Sequence, residues 1–504
     1  MERYRWIIPD WEAFSEALDR PQPVVLRANP LRIEPAALAA HLAGLGFRLR
    51  PLAWAPGFFQ VESGPFPVAK TVAHWLGLFY IQEAAAAVPA LAVGARPGER
   101  ILDLCAAPGG KTTLLAAQVG PQGVVVANEP DGSRVRALLS NLARLGVFNV
   151  VVTRYDGRDF PGHRRFHRVL ADVPCSAEGN ARRSPRVRGG TTPRQARRLA
   201  RLQGELLARA ADLVAPGGVL VYSTCTFAPE ENEAVVDGLL RSRADSLPPA
   251  ESEEAVPGRG QDPFRIEPLA VPVPASAPGL TAWEDQTFHP DLALTTRLYP
   301  HHLDSGGMYV ARLVRAGDPG AVDDAGLEAA HLDPGADGEA AATYLQDRFD
   351  LPQDVFAGLG VYRVGRDLWL STVSEVPPYE KVAGIGLAWA TPGSGGFKPL
   401  APAMVHYGSL ARRNRVDLTV AALVDLLEGR RVKAGGWDLT PGPVILTLGG
   451  HVIGPGQYDQ RGLRAALAPE RAAELRECLR LQDQLGMGEE ALPPRPGQSS
   501  GSLP

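Results

Sequence analysis

A chain of 504 residues is more than one hydrophobic core can organise, so about two to four domains are expected. Its hydrophobic fraction of 45% is that of a globular protein, and the absence of any run of about 18 apolar residues excludes a membrane-spanning helix. A formal net charge of −4 argues mildly against a nucleic-acid binder, although local patches weigh more than the sum. Met1 to Trp6 lack the apolar stretch of a signal peptide, and a cytoplasmic location is expected. The four cysteines, Cys105, Cys175, Cys225 and Cys478, are too dispersed for a disulfide framework, and no CxxC pair suggests a metal. Cys478 and the His301–His302 pair are read as structural.

Residues 1–92 read as a small α+β module. It has a helix over 11–18, a strand over 23–29, a helical face of Leu38, Leu42 and Leu45, and a strand over 47–54. Its arginines, Arg27, Arg32, Arg48 and Arg50, are on their own best read as a solvated surface. An Ala-rich helix ends near Gly94. Ile101 to Leu104 then form a buried strand, Cys105 to Gly110 a small-residue loop, and Thr112 to Val119 a helix. This is the first unit of a doubly wound α/β sheet spanning 93–316. The loop is neither GxGxxG nor GxxxxGK[ST], so a compact ligand with a ribose and a charged amino-acid end suits it better than a pyrophosphate.

The second strand, Gly123 to Asn128, ends at Glu129, about 20 residues past the loop and placed for ribose hydroxyls. A helix with Val135, Leu138, Leu142 and Leu145 on one face follows. The third strand, 150–153, ends near Asp156, and the fourth, 168–171, ends at Asp172. Three acidic strand tips beside a Gly loop form a constellation at the edge where such sheets bind ligands. After Cys175 comes an Arg-dense loop with Arg182, Arg183, Arg186, Arg188 and Arg194, in which Glu178 is the lone acid. A charge run is usually a solvated face. This one leaves the active edge, which favours phosphate contact. Pro216-Gly217-Gly218 reads as a hairpin-like turn before the fifth strand, 219–222, whose tip carries Cys225.

Residues 242–290 are Pro-rich and irregular, and 297–302 and 308–313 read as closing strands. An acidic linker is expected over 317–340 and a linking domain over 341–425. A β-rich module is expected over 426–489, with a hairpin through Val444 to Ile453, and a disordered tail over 490–504.

Cys175 and Cys225 end neighbouring strands, so their thiols should approach one another and the ligand pocket. A buried structural pair, a disulfide (disfavoured in the cytosol) and a catalytic pair are the competing readings. The chemistry that requires a thiolate beside a methyl donor is methylation of pyrimidine carbon 5. That carbon attacks only after a thiolate has added to carbon 6. A base must then remove the carbon-5 proton, and an acidic group near ring N3 assists the addition.

Cys105-Ala-Ala-Pro-Gly-Gly-Lys111, Asp172-Val-Pro-Cys-Ser176 and the stretch Tyr222 to Glu233 resemble the motifs of the RsmB/RsmF (Sun/NOP) family of RNA (cytosine-5) methyltransferases, over roughly residues 20–315. The long C-terminal part is most similar to the RsmF branch, which acts on 16S rRNA. The resemblance implies a Rossmann-like class I methyltransferase fold and a PUA-like C-terminal module. It implies S-adenosylmethionine as methyl donor, with no metal. It also implies ribosomal RNA, that of the small subunit first, as partner to a monomer. Carried over by position, it makes Cys225 the nucleophile and Cys175 the aid to proton removal or enzyme release; the residues alone do not rank the two thiols. Asp172 would contact base and donor. Cys105, Ala106, Ala107, Pro108, Gly109, Gly110, Lys111, Glu129, Arg134 and Asp156 would hold the donor, and Arg182, Arg183, Arg186 and Arg188 the RNA. Ala177 stands where the family has Gly, and Ala resists positive φ, so a slightly different loop is expected there. A large-subunit RNA or tRNA target, and a non-catalytic RNA-binding assembly factor, are the alternative readings.

Overall fold

The computed structural model describes residues 1–162, 165–244, 264–318, 332–374, 376, 378–433, 435–484 and 492–493. Residues 245–263 of the expected Pro-rich stretch, the centre of the acidic linker and nearly all of the tail lie outside the described residues. The chain divides into two compact units. The first comprises 1–25, 82–135 and 152–327, and the second 26–81, 136–151 and 328–504.

The first unit is built on a doubly wound sheet. Its strands are β1 (Arg100–Asp103), β2 (Val124–Asn128), β3 (Val150–Thr153, cut by the unit boundary), β4 (Phe166–Asp172) and β5 (Val214–Thr224). To these are added β6 (Phe264–Glu267), β7 (Ala277–Pro278), β8 (Thr296–Leu298) and β9 (Met308–Arg315). The order is 7-8-9-5-4-1-2-3, with β6 beside β9. β2, β1, β4 and β5 run parallel, and β9 returns antiparallel to β5. Both faces are covered, so the centres of β1 and β4 are apolar and buried: Ile101, Leu102, Val169 and Leu170 are each at 0% exposure. The order reverses beside β1, which opens the ligand crevice there.

The expected hairpin turn at Pro216 to Gly218 is instead a bulge inside β5. Val214 pairs with Phe166, but Arg168 already faces Val219, so the extra residues are looped out without ending the strand. A turn signal was correct about local backbone and wrong about strand continuity, because β4 pairs on both sides of it.

The first 25 residues form part of this unit. The helix Trp11–Asp19 lays Phe14 against Phe227 and Tyr299, and Tyr4 packs edge-on to Phe227.

In the second unit, a four-stranded sheet from 24–81 and another from 415–465 contribute to one apolar cluster. Phe47, Trp75, Val416, Leu446 and Cys478 all lie in it, each short sheet completing a core that neither could bury alone. Cys478 is fully buried there. The expected hairpin forms between Gly442–Leu448 and His451–Asp459. A second cluster, centred on Trp389, fills the space between the helix Ala336–Phe349 and the sheet of 360–399. No described helix is long and apolar enough to cross a membrane.

Candidate active site

Strand register brings the thiols together. Asp172 at the end of β4 lies opposite Ser223 of β5, and the Ser223 hydroxyl donates to Asp172 Oδ1 at 2.8 Å. Two or three residues further on, Cys175 Sγ and Cys225 Sγ stand 3.4 Å apart, both unbonded thiols. Beneath them, Gln203 donates to the Pro174 carbonyl (2.9 Å) and to Glu231 Oε2 (2.8 Å), which also accepts the Ser176 N–H at 3.0 Å. The loop carrying Cys175 is therefore tied to the loop after Cys225.

The surrounding charges make the two sulfurs unequal. The hydrogen bond from Cys175 and the nearby Lys111 ammonium favour a thiolate at Cys225, and its pKa is lowered against the effects of burial and of Asp172. That same hydrogen bond, burial and the Glu231 carboxylate push the Cys175 thiol well up. The Cys225 N–H points at Cys175 Sγ (3.3 Å), but a single backbone dipole does not offset the charges. Cys105, by contrast, is held neutral by burial and by Asp103 and Asp172.

The small-residue loop, Cys105 to Gly110, follows β1. Gly109 takes φ +106°, a conformation that favours glycine, and opens the helix Gly110–Val119 towards the crevice. Lys111 Nζ donates to Asp172 Oδ2 at 2.7 Å. The Asp172 charge outweighs burial and keeps the lysine protonated, its pKa raised. Glu129 is 1% exposed; its Oε1 accepts the Asp131 N–H, and its Oε2 lies 3.0 Å from Arg134. Arg134 also donates to the Ala107 carbonyl at 2.9 Å, bridging the loop and the second strand tip. Asp156 is half-exposed and gripped by Arg158, whose hydrogen bonds hold its pKa down to about 2.

Asp103, overlooked in the sequence, ends β1 at 1% exposure. Thr112 Oγ1 donates to its Oδ2 at 2.7 Å, and its Oδ1 has no hydrogen-bond partner among the described residues. The signal was present: an acid closes the first strand as it closes the others. A buried, half-satisfied carboxylate beside Glu129 and Asp172 fits a ligand bearing positive charge and hydroxyl donors. No group of three metal-binding side chains occurs among the described residues.

Burial, with Asp172 adding to it, raises the Asp103 pKa from 3.8 to about 7. The folded state therefore binds this proton more tightly than the unfolded chain does. That stability is complete below about pH 4 and is lost as pH rises through about 7. Asp103→Asn cannot ionise. Its stability relative to wild type should rise by about 2–3 kcal/mol between pH 5 and pH 8, read by urea unfolding of the ligand-free protein. A pH-independent difference would refute the shift.

Glu178, the lone acid of the Arg-dense loop, is 1% exposed. Its carboxylate accepts from the Tyr4 hydroxyl (2.9 and 3.0 Å), the Thr191 N–H (2.6 Å), Thr226 Oγ1 (2.8 Å) and the Phe227 N–H (3.2 Å). A single negative charge among arginines was the clue to its role. Before it, Ala177 does adopt φ +60°, because the hydrogen bonds on either side overrule its preference. Ala177→Gly should raise stability by about 1 kcal/mol, seen as a higher melting temperature; an unchanged or lower value would mean the loop is not strained there.

Of the four arginines read as RNA contacts, Arg182 is buried. It donates to Asp304 (2.8 Å) and to the carbonyls of Arg20, Pro21 and Ser305. Arg183 pairs with Glu83. Arg188 is exposed but reaches the carbonyls of Ala181 and Leu18, and Arg186 is exposed.

Comparison with known proteins identifies the family. Residues 90–314 match the family described as 16S rRNA methyltransferase RsmB/F, and residues 1–84 match the N-terminal domain of 16S rRNA methyltransferase RsmF. Ribosomal RNA small subunit methyltransferase F of Serratia proteamaculans is 37% identical over 322 residues, 62% of this chain and 62% of that protein. The 25S rRNA (cytosine-C(5))-methyltransferase nop2 of Schizosaccharomyces pombe is 34% identical over 60% of this chain and 48% of its own length. A methyltransferase homolog of Pyrococcus horikoshii has a crystal structure that superposes with a TM-score of 0.51 at 31% identity, covering 60% of this chain and 90% of that one. The chain spans between 35% and 62% of the length of the curated relatives it matches. The two matched stretches together take in more than half of the residues, and the chain belongs to the RsmB/F methyltransferase family.

Proposed function

We propose that this protein methylates carbon 5 of a cytosine in ribosomal RNA, with S-adenosylmethionine as donor. The observation that carries the reading is the pair of thiols 3.4 Å apart at adjacent strand tips, beside the Lys111–Asp172 pair. The Cys225 thiolate adds to carbon 6 of the ring, and the carbon 5–carbon 6 electron pair becomes available at carbon 5. The addition places negative charge on ring N3, beside Asp172, and N3 takes up a proton from the Lys111–Asp172 pair and returns it when Cys225 leaves. S-adenosylmethionine, when bound, supplies an electrophilic methyl group. Once carbon 5 bears both its hydrogen and the methyl, solvent water takes that proton, and the Cys175 thiol, hydrogen-bonded to the Cys225 sulfur, assists its departure. The C–H pair re-forms the double bond, and Cys225 leaves as thiolate. Asp103, Glu129 and the loop from Cys105 to Lys111 bind the donor, with Arg134 and Asp156 at its margin.

Small-subunit RNA is the favoured target, because both family matches carry the 16S description and their N-terminal part is included. The exposed Arg186 and Arg188 are proposed to meet RNA phosphates, along with the segments 1–92, 341–425 and the PUA-like 426–489. The target base is unstacked into the pocket. Relatives that act on 25S and 28S rRNA keep a large-subunit target as the second reading. The test is tritiated S-adenosylmethionine with small subunits, large subunits and tRNA. Label in small-subunit RNA supports the proposal, label elsewhere moves the substrate, and RNA binding without label points to an assembly factor.

A further inference from the structure

We propose that Asn180 is a further catalytic residue, whose side-chain amide donates to the Cys225 sulfur and is aimed there by Arg183 and Glu83. The inference rests on Cys225 being the nucleophile. Asn180 Nδ2 lies 3.6 Å from Cys225 Sγ, within hydrogen-bonding reach of sulfur. An amide can present either its oxygen or its nitrogen, and the surrounding network decides which. Here Arg183 donates to Asn180 Oδ1 at 3.0 Å, and a guanidinium cannot accept, so the NH2 end must face the sulfur. Arg183 is in turn paired with Glu83, whose side chain is only 12% exposed. The relay runs Glu83, Arg183, Asn180, Cys225.

The backbone fixes the same distance. Gly179 N–H donates to the Cys225 carbonyl at 2.8 Å, and Gly307 N–H to the Gly179 carbonyl at 3.0 Å. A Cβ on Gly179 would stand 2.3 Å from the Gly307 carbonyl oxygen, so no larger residue fits the approach. Glu178, clamped by Tyr4, Thr191, Thr226 and Phe227, holds the loop from below. The amide therefore meets the sulfur without reorganisation.

A donor at this position has two chemical consequences. It stabilises the thiolate before addition to carbon 6, and it stabilises the same thiolate as leaving group when the double bond re-forms. In the intervening thioether the sulfur is neutral and accepts only weakly, so the amide favours both ends of the cycle over the adduct. It also gives Arg183 a task inside the active site.

The test is the pH–rate profile for iodoacetamide alkylation of Cys225 in the full-length protein, read by mass spectrometry of the Cys225 peptide. It needs neither RNA nor donor. Failure of the methyltransferase reading would appear separately, as absence of label from every RNA with the wild type. Asn180→Ala should shift the inflection upward and slow alkylation at pH 7 about three- to tenfold. Asn180→Asp should slow it further, because a carboxylate then faces the sulfur. The double variant Glu83→Gln/Arg183→Met removes both charges of the relay but keeps the amide; losing the Glu83 carboxylate, which holds the Cys225 thiol up, offsets part of the effect, so a smaller shift in the same direction is expected. It keeps the test open should Asn180→Ala fail to fold. Unchanged profiles in folded Asn180→Ala, or in the double variant where the alanine does not fold, would overturn the proposal.

Discussion

Cys225→Ala should abolish methyl transfer, a loss of at least about a thousandfold, while Cys175→Ala should accumulate a covalent protein–RNA complex. The asymmetry follows from the electrostatics of the pair. Lys111 stands near the Cys225 sulfur, whereas Glu231 and burial keep Cys175 protonated. Without the Cys225 thiolate nothing can add to carbon 6, and carbon 5 stays unreactive. Without Cys175 addition still occurs, but release of the enzyme is impaired. Labelled methyl in RNA reads the first effect, and a band that survives denaturing electrophoresis reads the second. The acid limb of kcat/KM should lie below the ordinary thiol value of 9.0, because activity rises with the Cys225 thiolate fraction and its pKa is lowered. Adduct accumulating in Cys225→Ala instead of Cys175→Ala would reverse the assignment.

Arg297→Met should destabilise the first unit by about 3–5 kcal/mol. Arg297 and Glu233 are buried at 2% and 0% side-chain exposure. Arg297 Nε donates to Glu233 Oε1 at 2.7 Å, its second arm reaches Oε2, and its third donates to the Phe227 carbonyl at 2.9 Å. Removing the arginine strands a carboxylate with the Leu280 N–H as a remaining donor. A double variant, Arg297→Met/Glu233→Met, should recover part of the loss, because no unpaired charge is then buried. Urea unfolding of the three variants reads the difference. Equal losses in single and double variants would show that packing, and not charge, sets the cost. Phe227 follows Cys225 by two residues, so this ion pair also anchors the nucleophile's loop.

Much of the site could be read in the chain because its parts are local. A strand, a small-residue loop and a helix around Gly109, acids closing successive strands, and cysteines just beyond two of those ends are patterns of a few residues each. Periodicity and turn chemistry recover such patterns. The hairpin at Gly449–Gly450 was legible for the same reason. Pro216 to Gly218 misled because a turn and a bulge share the same residues, and only the partner strand distinguishes them.

Local pattern therefore fixes the fold class and the family, and places the candidate thiols together, since strand tips in a doubly wound sheet converge whatever the loops do. Tertiary structure made the two thiols unequal, through the hydrogen bond they share and burial, with Lys111 near Cys225 and Glu231 near Cys175. It turned Arg182 inward and Arg183 towards Asn180, although the run of arginines reads as a solvated, phosphate-seeking face. It brought Tyr4 to Glu178 across 174 residues of chain, and set 26–81 in one core with 416–479. Burial, charge balance and ion-pair partners depend on which distant segments meet, and no local pattern encodes that meeting.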